Sequence, residues 1–226
     1  MDKVKAFLSY QWKHGGIAIK LIAINLLIFL LHVTLNGILG LTTVGVAFNT
    51  LFDYIFVADA SINGLISKPW GIITYNFAHS GFFHVLMNMF ILFFAQKMFI
   101  PLFGEKRFIW VFFLGGFFGY FLELAGFELT KSFQLLQVGS HPIVGASACV
   151  TAVLIAVIAH NPTQKIKLFG AFEIPFYILG IVVVGGDLIG LFKSGSDTAH
   201  LAHLGGALIG FLLAYYWKQN QFKRWD

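Results

Sequence analysis

Residues 200–210 carry the strongest fold signal in this chain and read His-Leu-Ala-His-Leu-Gly-Gly-Ala-Leu-Ile-Gly. The stretch is apolar except for two histidines, and Gly206 and Gly210 are four residues apart on one face of a predicted helix. Such a pair of glycines lets a second helix approach backbone to backbone in a membrane. His203 lies about one turn before this pair, and an ionisable side chain inside an apolar helix is costly and marks a functional site. The stretch predicts a membrane helix that brings a histidine to a close helix–helix contact.

The composition of the whole chain is that of a polytopic membrane protein. Of its 226 residues, 58% are hydrophobic and only 11% are charged, and the mean hydropathy is +0.81. A soluble domain of this length has too little interior to hide that much apolar surface, and a disordered chain has the opposite composition. Cys149 is the single cysteine, which excludes an intrachain disulfide scaffold. The net charge of +5 is small and predicts no nucleic-acid partner.

Six apolar stretches approach the length of about 20 residues that a transmembrane helix needs. Residues such as Pro101, Gly104 and Pro162 interrupt them. The predicted fold is therefore all-α, a six-helix membrane bundle that forms one domain over residues 1–226. Within it, residues 1–16 are an N-terminal segment, residues 17–217 the core and residues 218–226 a tail. The predicted spans run near residues 17–35, 81–99, 108–127, 143–159, 174–192 and 199–217.

Loop charges predict the orientation of this bundle. With the N-terminus inside, 12 of the 15 Lys and Arg residues fall in inner segments, so both termini are expected to be cytoplasmic. The segment 42–70 between the first two spans is too apolar for a solvated loop and too short and interrupted to cross a bilayer. It is expected to lie in the interfacial plane of the membrane.

Three of the predicted spans carry polar side chains at a similar depth. Span two holds His84 and Asn88 on one helix face, span four holds Ser147, and span six holds His203. At about 1.5 Å per residue, each lies roughly 6–12 Å from the outer end of its helix. The three spans run in the same direction, so these side chains converge in the outer half of the bilayer. Small residues in spans four and six are expected to bring Ser147 within hydrogen-bond reach of His203, which is what a serine nucleophile needs.

These residues resemble the rhomboid family of intramembrane serine proteases. The resemblance covers about residues 70–210, and the six spans and interfacial first loop fit it too. It implies an intramembrane serine endopeptidase that cleaves transmembrane protein substrates within the lipid bilayer and needs neither a cofactor nor a metal. Three motifs carry it in order: His79-x4-His84-x3-Asn88, Gly145-x-Ser147 and Ala202-His203-x2-Gly206-x3-Gly210.

The resemblance also implies a role for each residue of the site. Ser147 would attack the peptide carbonyl, and His203 would act first as general base and then as general acid. The two would form a dyad without the third carboxylate of soluble triads. His84 and Asn88, with the backbone N–H of Ser147, would stabilise the oxyanion.

The chain departs from the family pattern at three positions. Ala148 follows the serine where the family usually has glycine. Gly71 follows Trp70 where the family often has arginine, and Ile100 stands where an acidic residue often closes span two. We expect the first change to be tolerated, and the other two to affect stability and loop geometry more than chemistry.

Four further polar residues have no role that the resemblance assigns. His79 is expected to brace the start of span two or a loop, and His200 is expected to support the start of span six. Asp187 and Glu123 share the depth of the site. The simplest interpretation is that each is a protonated or hydrogen-bonded carboxyl facing a wet cavity, and the alternative is that Asp187 orients a histidine.

Two other functions are consistent with these features. One is a noncatalytic rhomboid-like protein that binds membrane clients, although such relatives typically lack the serine or the histidine. The other, less favoured, is a metal or haem protein, because no HExxH motif or cysteine partner accompanies the histidines. The compact six-span core predicts a prokaryotic plasma membrane protein. The histidines that the metal alternative would use are His79, His84, His200 and His203.

Overall fold

The computed structural model of the protein describes residues 16–40, 42–133, 141–168, 172–192 and 198–222. The chain divides into two compact units. The first comprises residues 1–109 and 140–146, and the second comprises residues 110–139 and 147–226. Most described residues are helical, and each unit also holds one two-stranded antiparallel sheet.

The first unit consists of helices α1 to α5 and the start of α6. Thr42 is the N-cap of α2 (Thr43–Phe56), because its hydroxyl accepts a hydrogen bond from Gly45 N at 3.0 Å. The predicted interfacial segment contains α2, α3 and a short strand, and its position in a membrane stays a prediction. The elements are α1 (Gly16–Leu39), α2 (Thr43–Phe56), β1 (Ala58–Asp59), α3 (Ile62–Ser67), α4 (Gly71–Thr74), a 3-10 turn (Tyr75–Phe77), α5 (Phe82–Phe103) and α6 (Glu105–Ser132).

Residues 141–146 are not helical, and they belong to the first unit. Strand β2 (Pro142–Ile143) pairs with β1, and the Asp59 carboxylate accepts a hydrogen bond from His141 N at 2.9 Å. Gly145 follows with φ +123°, a conformation that favours glycine, and its N–H donates to Tyr75 O at 2.9 Å. The prediction of a helix from residue 143 was therefore wrong at its start, because these residues make backbone hydrogen bonds to β1 and the 3-10 turn.

The second unit is built around α7 (Ser147–His160), in which every residue from Ala148 to Ile158 is buried. A hairpin of β3 (Lys165–Leu168) and β4 (Phe172–Pro175) leads into α8 (Phe176–Gly190), and α9 (His200–Phe222) packs along α7. A Cβ on Gly206 would collide with the carbonyl of Ala148, and one on Gly210 with the carbonyl of Ala152. The predicted close approach of these two helices is confirmed.

Several other predicted span ends need correction. Helix α1 ends at Leu39 rather than at residue 35, α6 spans Glu105–Ser132 rather than 108–127, and α9 ends at Phe222 rather than at residue 217. The second span was expected to end at residue 99, but α5 continues through Pro101 and ends before Gly104, which has φ +82°. A proline in the last turn of a helix removes one hydrogen bond, whereas the positive φ of Gly104 stops the helix. The fifth span was expected to begin at residue 174, but Pro175 ends β4 and α8 begins at Phe176. The β3–β4 hairpin was not predicted, because its charged residues indicated a loop.

Three described helices, α1, α5 and α6, are long and apolar enough to cross a membrane. Helices α2, α7 and α8 are apolar but shorter. Helix α9 has 23 residues, but two histidines in its first turn and polar residues at its end lower its hydropathy. Many large apolar side chains lie on the surface, such as Leu27 (66% exposed) and Phe83 (76% exposed), as expected for lipid contact. The six-span count stays a prediction, and its break at residues 193–197 lies outside the described residues.

Candidate active site

Ser147 is the first residue of α7. It was expected to lie more than a turn into its helix, and this estimate was wrong because the residues directly before it are not helical. The first N–H groups of a helix have no acceptor within the helix, and the helix dipole is positive at that end. Ser147 therefore stands at a position that favours negative charge.

His203 is the fourth residue of α9, and its imidazole faces Ser147. His203 Nε2 lies 2.8 Å from Ser147 Oγ, so the predicted hydrogen bond is present. Gly206 and Gly210 let the backbones of α7 and α9 touch, and this close approach brings the side chains of Ser147 and His203 together. The geometry suits proton transfer between hydroxyl and imidazole, and the catalytic role of both residues stays a prediction.

Asp187, on α8, contacts both histidines at the start of α9. Its Oδ1 lies 2.8 Å from His203 Nδ1 and 2.8 Å from His200 Nδ1. A Cβ on Gly190, one turn after Asp187, would collide with the His200 ring, so this glycine makes room for the second contact. Asp187 is therefore a hydrogen-bonded carboxyl whose partners are histidines, and its orientation of a histidine stays a prediction. The sequence signal was the shared depth of Asp187 and His203, but the depth alone did not establish that the two touch.

Glu123, the other buried acid, contacts backbone. Its Oε2 accepts a hydrogen bond from Ala202 N at 2.9 Å, in the first turn of α9. A carboxylate here accepts a hydrogen bond from an N–H group that has no acceptor within the helix. Its negative charge also interacts favourably with the positive end of the helix dipole. The simple interpretation of a hydrogen-bonded carboxyl therefore holds for Glu123, and its contact supports the helix that carries His203.

His84 and Asn88 lie one turn apart on α5, in the first unit. His84 Nδ1 is 3.0 Å from Ser80 Oγ, and Asn88 is 7% exposed. The oxyanion role of both residues stays a prediction.

His79 precedes α5 and contacts the loop that leads to Ser147. Its Nε2 accepts a hydrogen bond from Ala146 N at 3.5 Å, a long contact that agrees with a bracing role. The His84 ring stands edge-on to it, with 5.0 Å between centroids. Burial, and then the charge of His84, lower the pKa of His79 from 6.5 to about 3, although the backbone of Phe77 opposes the shift. His79 is therefore neutral at physiological pH, as an acceptor nitrogen must be.

The residue after Ser147 departs from the family pattern, and a glycine on the next helix accommodates it. Ala148 is 1% exposed. Its methyl group lies where α6 carries Gly119, and a Cβ at Gly119 would lie 2.7 Å from the Ala148 Cβ. The expectation that alanine is tolerated here therefore has a packing reason, because Gly119 leaves the space that the methyl group fills.

Asp187 on α8 and the two histidines at the start of α9 form a cluster that bears on the metal alternative. One ligand atom each from Asp187, His200 and His203 lies within 4.8 Å of the others, and carboxylate with imidazole is a usual donor set for zinc. The same atoms make two hydrogen bonds of 2.8 Å. His79 and His84 belong to the other unit. A cation at the cluster would have to displace both hydrogen bonds.

Comparison with known proteins points to one family. A family model described as "Rhomboid domain" matches residues 67–220, well over half of the chain. A similar protein is "RHOMBOID-like protein 12, mitochondrial" of Arabidopsis thaliana, which is 28% identical over 82 residues. That alignment covers 36% of this chain and 24% of the relative, so the match spans about a quarter of the relative's length.

Proposed function

This chain belongs to the rhomboid family, and we propose that it is an intramembrane serine endopeptidase with Ser147 as nucleophile and His203 as general base. The observation that carries this proposal is the 2.8 Å contact between Ser147 Oγ and His203 Nε2. A hydroxyl is a weak nucleophile until a base takes its proton, and this distance supports His203 as that base.

The proposed reaction is acyl transfer to Ser147 followed by hydrolysis. His203 Nε2 takes the hydroxyl proton while Oγ attacks the carbonyl carbon of a peptide bond, and the carbonyl oxygen becomes an oxyanion. The imidazolium then gives this proton to the leaving amine. Water, activated by the same imidazole, releases the acyl group and restores Ser147.

The oxyanion would lie at the N-terminal end of α7. The backbone N–H of Ser147 and the dipole of this helix favour a negative charge there. As the family resemblance implies, we assign His84 and Asn88, one turn apart on α5, as the side-chain donors. Losing one donor of this kind typically costs about 2.7–4 kcal/mol of transition-state stabilisation.

The substrates in this proposal are transmembrane segments of other membrane proteins, cut within the bilayer. A regular helix keeps its carbonyls hydrogen-bonded, so a segment must unwind locally before Ser147 can reach one. Segments with glycine or proline unwind at the lowest cost.

We further propose that the chain is one six-span domain with both termini cytoplasmic, in a prokaryotic plasma membrane. Tags at the two termini, probed with protease in sealed vesicles, test the orientation.

Labelling with a fluorophosphonate probe tests the proposal before any substrate is known. We expect the purified wild-type protein to be labelled, and Ser147→Ala and His203→Ala to be unlabelled. Thr151→Val is the matched control, because Thr151 is a buried hydroxyl one turn further along α7, and labelling should persist in it. Labelling that survives in Ser147→Ala would contradict the assignment. A folded wild-type protein that is never labelled would favour the noncatalytic client-binding function.

A further inference from the structure

Four side chains from three helices form one continuous hydrogen-bonded chain in the second unit. It runs from Ser147 on α7 to His203, then to Asp187 on α8, and back to His200 on α9, with 2.8 Å at each step. The sequence predicted the first step, and the family resemblance implied a dyad without a carboxylate. The contacts of Asp187 with His203 and with His200 therefore lie beyond what the resemblance implies.

The protons in this chain can be assigned from the acceptors. An ionised carboxylate only accepts hydrogen bonds, so each Nδ1 that contacts Asp187 Oδ1 carries a proton and donates it. A neutral imidazole has one N–H, so Nε2 of His203 is then left with its lone pair. That lone pair faces Ser147 Oγ, which donates to it. The carboxylate thus selects the tautomer that a general base requires.

His200 restrains the carboxylate from the other side. Residues 200 and 203 are three apart in α9, so both rings lie on the same side of the helix. Both donate to the same oxygen of Asp187, which has two lone pairs. Gly190 provides the space in which the His200 ring reaches that oxygen. With two donors on one oxygen, rotation of the Asp187 side chain would break two hydrogen bonds.

From this geometry we infer that Asp187 is a positioning residue of the proposed protease, which holds His203 in its reactive tautomer and is itself held by His200. This inference rests on the proposed function. When Ser147 Oγ bonds to the substrate carbon, its O–H bond breaks and the proton moves to His203 Nε2. The Nδ1 proton stays in place, and the carboxylate stabilises the imidazolium that forms.

Two substitutions remove the carboxylate in different ways. Asp187→Ala removes its acceptors and its charge, and we expect kcat to fall by roughly 10⁴-fold, as when the aspartate of a catalytic unit is lost. Asp187→Asn keeps the shape, but its amide can donate to a ring nitrogen and stabilise the unreactive tautomer of His203, so kcat should fall by about 10⁴-fold as well. KM should change little in both variants, because Asp187 contacts histidines and not the substrate. The labelling rate of Ser147 should fall in parallel with kcat.

The pH profile of kcat/KM provides a readout that a purely structural role would not move. Among the described residues of the second unit, Asp187 and Ser147 make polar contacts with the His203 ring, and His200 acts through Asp187. In Asp187→Asn we expect the acid limb of the profile to move to lower pH, because a neighbouring negative charge favours the protonated imidazole. Glu123→Gln is the matched control, since Glu123 is a buried carboxyl that contacts Ala202 N. Its acid limb should stay at the wild-type pH.

The outcomes separate the inference from the proposed function. If wild type is labelled, Ser147→Ala is not, and Asp187→Ala keeps the wild-type rate, the inference fails and the dyad stands. If wild type is neither labelled nor active, the proposed function fails. If EDTA abolishes activity and zinc restores it, the cluster is a metal site and the inference is overturned. Thermal unfolding in detergent verifies that each variant is folded, and Asp187→Asn serves where Asp187→Ala is unstable.

Discussion

The protein contains two pairs of neighbouring histidines, and their surroundings differ. His200 and His203 share the oxygen of Asp187, and His203 also contacts a hydroxyl. His79 and His84 stand edge to face, with 5.0 Å between ring centroids. His79 accepts a hydrogen bond from the Ala146 N–H, and His84 contacts the Ser80 hydroxyl, so both of these partners are uncharged.

This difference shows that the partners of an imidazole decide what it can do. A carboxylate on one nitrogen orients the ring and stabilises its charged form, so the other nitrogen can act as a base. Burial and the charge of the neighbouring His84 keep His79 neutral and lower its pKa to about 3. In the proposed mechanism the first pair transfers protons, and His84 of the second pair donates to the oxyanion, whereas His79 accepts from backbone.

The largest expected effect separates His203 from His79. His203→Ala removes the proposed base, and kcat should fall on the order of 10⁶-fold, as when the histidine of a catalytic unit is lost. His79→Gln keeps an acceptor for Ala146 N, so its loss should be far smaller. Cleavage of a fluorescent transmembrane substrate measures both. Equal losses in two folded variants would contradict the division of roles between the pairs.

His84 is expected to have the next largest effect. His84→Ala should lower kcat by about 10²–10³-fold with little change in KM, because an oxyanion donor acts mainly in the transition state. The control is Ser80→Ala, which removes the partner of His84 Nδ1 but leaves the imidazole. If Ser80→Ala is as slow as His84→Ala, the orientation of the ring, and not its donor nitrogen, limits the rate.

A smaller effect is expected from a substitution at Gly190 that displaces the ring of His200 and leaves His200 itself unchanged. A Cβ in Gly190→Ala would occupy the place of the His200 ring, so Asp187 should lose one of its two donors and the labelling rate should fall several-fold. Gly186→Ala on the same helix is the control, because a Cβ there has no atom within 4 Å. Equal labelling rates in the two variants would show that His200 does not contribute.

The smallest expected effect is the dependence of stability on pH through His79. Between pH 6.5 and about 3 the unfolded chain binds a proton at His79 that the folded protein does not. The free energy of unfolding should therefore fall as the pH drops through this window, and His79 contributes no such dependence above it. His79→Gln should show a shallower loss of thermal midpoint between pH 7.5 and 5 than wild type. An unchanged slope would mean that His79 is protonated in the folded state.

Much of the fold and part of the site could be predicted, because membrane helices and their close contacts leave local patterns. Apolar length marked α1, α5 and α6, and the spacing of Gly206 and Gly210 identified the close contact with α7. From this contact the Ser147–His203 hydrogen bond followed. The exact start of α7 did not follow, because it depends on backbone hydrogen bonds from residues 142–146 to β1 and Tyr75.

By itself, the sequence determined the membrane class, the family resemblance and the two residues of the proposed dyad. Only the tertiary structure decided what the two buried acids do. Asp187 and Glu123 have the same charge and a similar predicted depth, yet one contacts two imidazoles and the other a backbone N–H. The partners lie 13 to 16 residues from Asp187 and 79 residues from Glu123. A hydrogen bond needs its two atoms within about 3 Å, and such contacts depend on how each helix is rotated and packed, which hydropathy and spacing do not encode.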